Sequence, residues 1–238
     1  MRFIVIPLLL LLAACAPQQQ SLKSSVELEH IKINQDTFLA PDGKVLPVRS
    51  WLPATRPKAV IIALHGFTDY SHAFVSRGMF FSEHGVALYA YDQRGFGQAS
   101  PIGIWAGETN LTHDLAEFVR QVSNRLPHTP IYLLGESMGA AVALAAVPEA
   151  DFPPVSGIIL EAPALWGAKT MNPVFRATLW MGAHTIPFET VTGRQLKILA
   201  SNNIAMLQRL GADPLILKAV RLDTLYGIVQ LMGKAYDR

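Results

Sequence analysis

The residues best suited to chemistry are the pentapeptide Gly135-Glu136-Ser137-Met138-Gly139. A serine with glycine two positions before and two after fits a nucleophile held on a sharp turn. The glycines remove Cβ atoms that would collide where the backbone doubles back. Ile131 to Leu134 is a short apolar run that reads as a buried strand, and Ala140 to Val147, stopped by Pro148, reads as a helix of small residues. Strand, turn and helix together would raise the Ser137 hydroxyl at the carboxyl end of a sheet. The first amides of the helix would then face any oxyanion formed there. The competing reading is a strand-to-helix turn whose glycines serve packing alone.

A second loop supports the chemical reading. Ala59 to Leu64 is a continuous apolar run, the mark of a central parallel strand, and it leads directly into His65-Gly66-Phe67-Thr68-Asp69. In open α/β sheets ligands bind at this carboxyl edge. The Phe67 N–H is therefore expected to pair with that of Met138 as an oxyanion hole. His65 is read as fixing the loop by hydrogen bonds, and not as a base. A third polar loop, Asp92-Gln93-Arg94-Gly95-Phe96-Gly97, follows the apolar run Val86 to Tyr91, and Asp92 and Arg94 are read as a pair that orders it.

The elements that must hold these loops alternate. A hairpin is expected from Leu28–Ile33 and Val45–Leu52 around the turn Pro41-Asp42-Gly43-Lys44, with Pro47 near an edge or bulge. Helices are expected over Ser71–His84, ended by Gly85, and over Thr109–Arg125, whose apolar positions follow a 3.6-residue period. Val155 to Leu160 is a further strand. This alternation specifies an α/β class with a mostly parallel, doubly wound sheet. Beyond Ala164 no central strand is evident until about Leu222. Pro173–Ala183, Leu196–Leu210 and Pro214–Val220 read as helices of a cap, and Leu222 to about Ala235 as a helix returning to the sheet.

The N-terminus carries Arg2, an apolar run from Phe3 to Leu12, and then Leu12-Ala13-Ala14-Cys15. The run is too short to span a bilayer and reads as a signal peptide. Its end resembles a bacterial lipobox, which implies lipidation at Cys15, the single cysteine of the chain. One cysteine excludes a disulfide framework and a cysteine metal site. Ala16 to Val26, rich in Gln and Ser, reads as a spacer between anchor and body. The expected division is signal peptide 1–14, lipidated tether 15–26, core 27–163, cap 164–221 and return helix 222–238. A net charge of +2 over 238 residues is no nucleic-acid footprint.

Taken as a set, His65-Gly66-Phe67, Asp92 to Gly97, Gly135 to Gly139 and Leu160-Glu161-Ala162-Pro163 resemble an α/β-hydrolase. They are most similar to the monoacylglycerol lipase and lysophospholipase group, also described as serine aminopeptidase-like. The resemblance implies the α/β-hydrolase fold with a helical cap, Ser137 as nucleophile, and Phe67 and Met138 as oxyanion amides. It implies no cofactor or metal, and cleavage of lipid esters through an acyl-enzyme. Other serine acyl hydrolysis (thioester or peptide), or a non-catalytic lipoprotein with a relic elbow, are the alternatives. The lipobox adds a place in the bacterial cell envelope, as an anchored lipoprotein on the periplasmic face of the outer membrane. The group's acid and histidine follow the serine in the order serine, acid, histidine. Here His184 is the one histidine after the elbow, and Asp213, Asp223 and Asp237 do not resemble the strand-end acid. The chain therefore reads as C-terminally truncated, lacking the last strands and helices of the fold, and as inactive in this form.

Overall fold

The computed structural model describes residues 16–21, 37–167, 170–193 and 202–238. The signal peptide, Cys15 and the strand expected over 28–33 lie outside them. Six strands form the main sheet: β1 (Thr37–Leu39), β2 (Val45–Trp51), β3 (Ala59–Leu64), β4 (Val86–Tyr91), β5 (Ile131–Glu136) and β6 (Gly157–Glu161). Their spatial order is β1-β2-β4-β3-β5-β6. β1 and β2 are antiparallel to their neighbours, whereas β4, β3, β5 and β6 run parallel. The first hairpin strand among the described residues is thus Thr37–Leu39. Pro47 is tolerated because it lies just beyond the β2–β4 ladder, which starts at Val48, and its carbonyl still accepts the Asp92 amide at 2.9 Å.

The central strands are apolar on both sides because both faces are covered. Val60, Ile62 and Leu64 of β3 join one core, and Ile61 and Ala63 the other. The smaller core lies under a short 3₁₀ turn (Ser71–Phe74) and α1 (Val75–Glu83), one segment where a single helix was expected. The larger core is closed by α2 (Glu108–Arg125), α3 (Met138–Ala146) and α6 (Leu222–Tyr236). α3 is almost wholly buried, which explains its run of alanines: a larger side chain would push α2 and α6 off the sheet. β6 has one strand partner among the described residues, and its Ile159 and Leu160 are exposed.

Between β6 and α6 lie α4 (Pro173–Thr185), β7 (Thr190–Thr192), α5 (Ile204–Ala212) and β8 (Ala219–Arg221). α4 begins with Asn172 as its cap, the side chain accepting the Val174 amide, and Pro173 in the first turn. Two expectations need correction here. Pro214–Val220 is not a helix: it runs through a turn into β8, which pairs antiparallel with β7. Of the helix expected over 196–210, α5 is the described part.

Of the expected spacer, residues 16–21 are described. They are held against the body. The Gln20 amide donates to Trp105 O at 3.0 Å, and Asn110 Nδ2 donates to Gln20 O at 3.0 Å. The Gln18 amide donates to Asp223 Oδ2 at 3.2 Å. A glutamine-rich stretch looks solvated because its side chains are polar, but backbone and side chains both find partners here: Gln20 Nε2 donates to Ile104 O at 3.0 Å, and Gln18 Oε1 accepts from Arg221 at 3.2 Å.

Candidate active site

The turn between β5 and α3 has the geometry expected from its glycines. Ser137 has φ 51° and ψ −108°, a left-handed conformation that costs a non-glycine residue energy. The surroundings hold it there: its amide donates to Glu161 O at 2.9 Å, and its carbonyl accepts the Ala164 amide at 3.1 Å. The close approach accounts for both glycines. A Cβ on Gly139 would lie 2.1 Å from Leu64 O, and one on Gly135 would lie 2.4 Å from Ala140 Cα. No alanine fits at either position without moving β3 or α3.

The loop after β3 runs alongside. Gly66 is the residue opposite the serine, a Cβ there falling 3.6 Å from Ser137 Cβ. Phe67 follows, its ring edge-on to Phe96. Among the described residues neither the Phe67 nor the Met138 amide donates to a protein acceptor. Met138 opens α3, where the first amides lack intrahelical partners and carry the positive end of the helix dipole. Two amides with no acceptor among the described residues, beside a half-buried serine, suit an oxyanion.

His65 is fully occupied. The Gln93 amide donates to its Nε2 at 2.9 Å, so Nδ1 carries the proton and donates to Gly66 O at 2.9 Å. Gln93 Nε2 in turn donates to His65 O at 2.9 Å. Burial pushes the imidazole down to about 4, against the opposing pull of the Gly66 carbonyl and Asp92. A neutral ring with both nitrogens engaged fixes the loop and has no lone pair for a serine proton. This depressed value has a consequence for stability. Between pH 6.5 and about 4 the unfolded chain binds a proton that the folded chain refuses, so stability falls as pH falls through that window. The loss from His65 is on the order of 3 kcal/mol by pH 4. Urea unfolding should therefore give a steeper acid slope for the wild type than for His65→Gln. Parallel slopes would show that His65 is not the group responsible.

Asp92 and Arg94 order the neighbouring loops but are not a pair. Asp92 accepts the Ser71 amide at 3.0 Å and the Gln98 amide at 2.9 Å. Arg94 instead forks onto two other carboxylates, with Asp42 at 2.7 Å and Asp114 at 2.6 Å. Asp42 sits in the first hairpin turn and Asp114 on a buried face of α2, so neither had a local signature. Below the serine, Arg77 bridges Glu136 at 2.9 Å and Glu161 at 2.5 Å, tying the ends of β5 and β6 together.

Among the described residues no histidine or carboxylate hydrogen-bonds Ser137 Oγ. His184 lies in α4, its Nδ1 on Trp180 O at 2.7 Å and its ring stacked on Trp180. Asp223 is held by Arg221 at 2.6 Å, and Asp213 by Tyr70 at 2.8 Å. Neither acid is offered to a histidine. No group of three or more metal-ligating side chains occurs among the described residues.

Residues 55–238 match the model of a family described as Serine aminopeptidase, S33. The chain belongs to that family. Its sequence is 28% identical over 183 residues to the monoglyceride lipase of Rattus norvegicus, covering 75% of this chain and 59% of that one. It is 28% identical over 162 residues to the monoacylglycerol lipase of Mycolicibacterium smegmatis, covering 65% of this chain and 53% of that one. The chain thus spans less than two thirds of the length of either relative. Among solved structures, a soluble variant of the Saccharomyces cerevisiae monoglyceride lipase superposes with a TM-score of 0.66 at 23% identity, over 93% of this chain and 73% of that one. That likeness establishes the α/β-hydrolase fold.

Proposed function

We propose that the protein is a serine hydrolase for carboxylic esters of lipids, of the monoacylglycerol or lysophospholipid type, with Ser137 as the acylated nucleophile. One observation carries the reading: a strained serine at the β5–α3 turn lies against Gly66 and beside the Phe67 and Met138 amides, which have no acceptor among the described residues. In the reaction Ser137 Oγ attacks the ester carbonyl, and the two amides bind the tetrahedral oxyanion. The alcohol then leaves, and water releases the fatty acid from Ser137. The lipid character of the substrate is supported by the names of the relatives, monoglyceride and monoacylglycerol lipases.

The described residues offer Ser137 no base, so this 238-residue chain is a slow catalyst in our reading. An oxyanion site and binding alone supply on the order of 10³-fold over water. The experiment is a panel of a monoacylglycerol, a lysophospholipid, an acyl thioester and an aminoacyl amide, each followed to full progress. The expected order puts a lipid ester first. The family description gives the amide a specific claim, and an amide preferred over both esters would replace this reading with a peptidase.

We also propose that Cys15 is lipidated and holds the protein in the cell envelope. The support is Leu12-Ala13-Ala14-Cys15 after a short apolar run. The docked residues 16–21 would then keep the body close to its anchor. Metabolic labelling with a palmitate analogue should mark the wild type and leave Cys15→Ser unmarked; equal labelling would contradict lipidation at that position.

A further inference from the structure

The loop that carries Phe67 is gripped from the cap. Two hydrogen bonds cross from the turn between α5 and β8 to the turn after β3. Tyr70 Oη donates to Asp213 Oδ2 at 2.8 Å, and the Leu217 amide donates to Thr68 O at 3.1 Å. Both ends of the grip are themselves built. On the cap side, Asp213 Oδ1 accepts the Leu215 amide at 2.9 Å, which sets the turn that presents Leu217. On the loop side, the Tyr70 amide donates to Asp69 Oδ1 at 2.8 Å, and the Asp69 amide donates to Gly66 O at 3.3 Å. That last bond closes a turn with Phe67 and Thr68 at its centre. The Tyr70 ring is buried, stacked on His72 at 5.5 Å. Phe67 and Leu217 both pack against the larger core.

The middle of this loop needs a grip. Thr68 has φ 70°, a conformation that a β-branched residue adopts only when its surroundings over-determine it. Released, Thr68 would relax to negative φ, the turn closed by the Asp69 amide and Gly66 O would open, and the Gly66–Phe67 peptide that carries the Phe67 N–H would move with it. An oxyanion donor misplaced by about an ångström loses most of its value, because its worth lies in being aimed before charge develops.

We infer that Tyr70 and Asp213 are positioning residues: they form a latch by which the cap holds the Phe67 N–H in place for the Ser137 oxyanion. The catalytic half of this statement rests on the reading of Phe67 as an oxyanion donor. The latch itself does not. It makes the oxyanion site a joint product of core and cap, complete only when the Asp213–Lys218 turn is seated.

Tyr70→Phe removes the hydroxyl and keeps the stacked ring; Asp213→Ala removes the acceptor. Hydrogen exchange of the 66–70 segment, read by mass spectrometry, should rise about tenfold in each single variant, the loss expected for one good hydrogen bond. The double variant should show no rise beyond that of Asp213→Ala, because Tyr70→Phe breaks only the bond that Asp213→Ala already breaks. Exchange in β3, β5 and α6 should stay unchanged. Exchange in 66–70 equal to the wild type would overturn the latch, whether or not Ser137 is ever acylated. In parallel, the acylation of Ser137 by a p-nitrophenyl ester should fall in kcat by about tenfold with KM unchanged, the mark of a contact made to the transition state. Faster exchange with undiminished acylation would overturn the positioning role, and no acylation of Ser137 at all would overturn the reading beneath it.

Discussion

Ser137→Cys is expected to be acylated by a p-nitrophenyl ester faster than the wild-type chain, by on the order of 10²-fold at pH 8. The direction is opposite to what a complete triad would give. A serine hydroxyl needs a base to remove its proton, and among the described residues none is bonded to Ser137. A thiol needs less help: with a pKa near 8.5, about a quarter of it is thiolate at pH 8. The elbow conformation and the two amides serve either nucleophile. The thioester product accumulates and adds the acyl mass to the intact protein. Ser137→Ala should change ester turnover little, because removing one member of a catalytic unit that already lacks another costs little more. A wild type that outpaces Ser137→Cys, and loses more than 10³-fold in Ser137→Ala, would show that a base does reach the serine.

The second large effect concerns stability. Arg94→Met should lower the unfolding free energy by about 3–5 kcal/mol, and Tm by roughly 10 °C, in a chain of this size. The guanidinium is 2% exposed, and the side chains of Asp42 and Asp114 are 7% and 1% exposed. Removing the cation leaves two buried carboxylates close together, opposed only by the more distant charge of Lys44. The penalty belongs to them, so Asp42→Asn with Asp114→Asn added to Arg94→Met should recover part of the loss. A cost below about 1 kcal/mol, or no recovery, would mean the fork is an incidental contact. The three groups join the first hairpin, the loop after β4 and helix α2. Their loss should therefore loosen the loop beside His65 and Gln93 as well.

The parts of the fold legible in the sequence are those governed by local composition. Ala59–Leu64 and Val86–Tyr91 are strands with the expected limits because a short, unbroken apolar run suits only a strand buried on both faces. α2 follows its 3.6-residue period, starting one residue earlier than expected. The elbow was legible because its glycines are demanded by contacts within a few residues or with the adjoining strand. Pro214–Val220 reads as helical because a short apolar run such as Leu215-Ile216-Leu217 does not distinguish helix from turn or strand by its periodicity. Their backbone is claimed instead by partners distant in sequence: Leu217 by Thr68, and Ala219 to Arg221 by β7. Arg94 misled for the same reason, its neighbour Asp92 being the nearest acid in sequence while its partners are 52 and 20 residues away. The Tyr70–Asp213 bond spans 143 residues, and no spacing rule announces it.

Whether Ser137 is a nucleophile is most directly settled by prolonged incubation of the wild-type chain with a fluorophosphonate, followed by intact-mass and peptide mapping. The expected result is a single phosphonyl adduct on the peptide containing Ser137, formed over hours because no base is bonded to Ser137 among the described residues, and absent from Ser137→Ala. An unlabelled Ser137, or a stoichiometric adduct on any other residue, would contradict the assignment of the β5–α3 turn as the reactive centre.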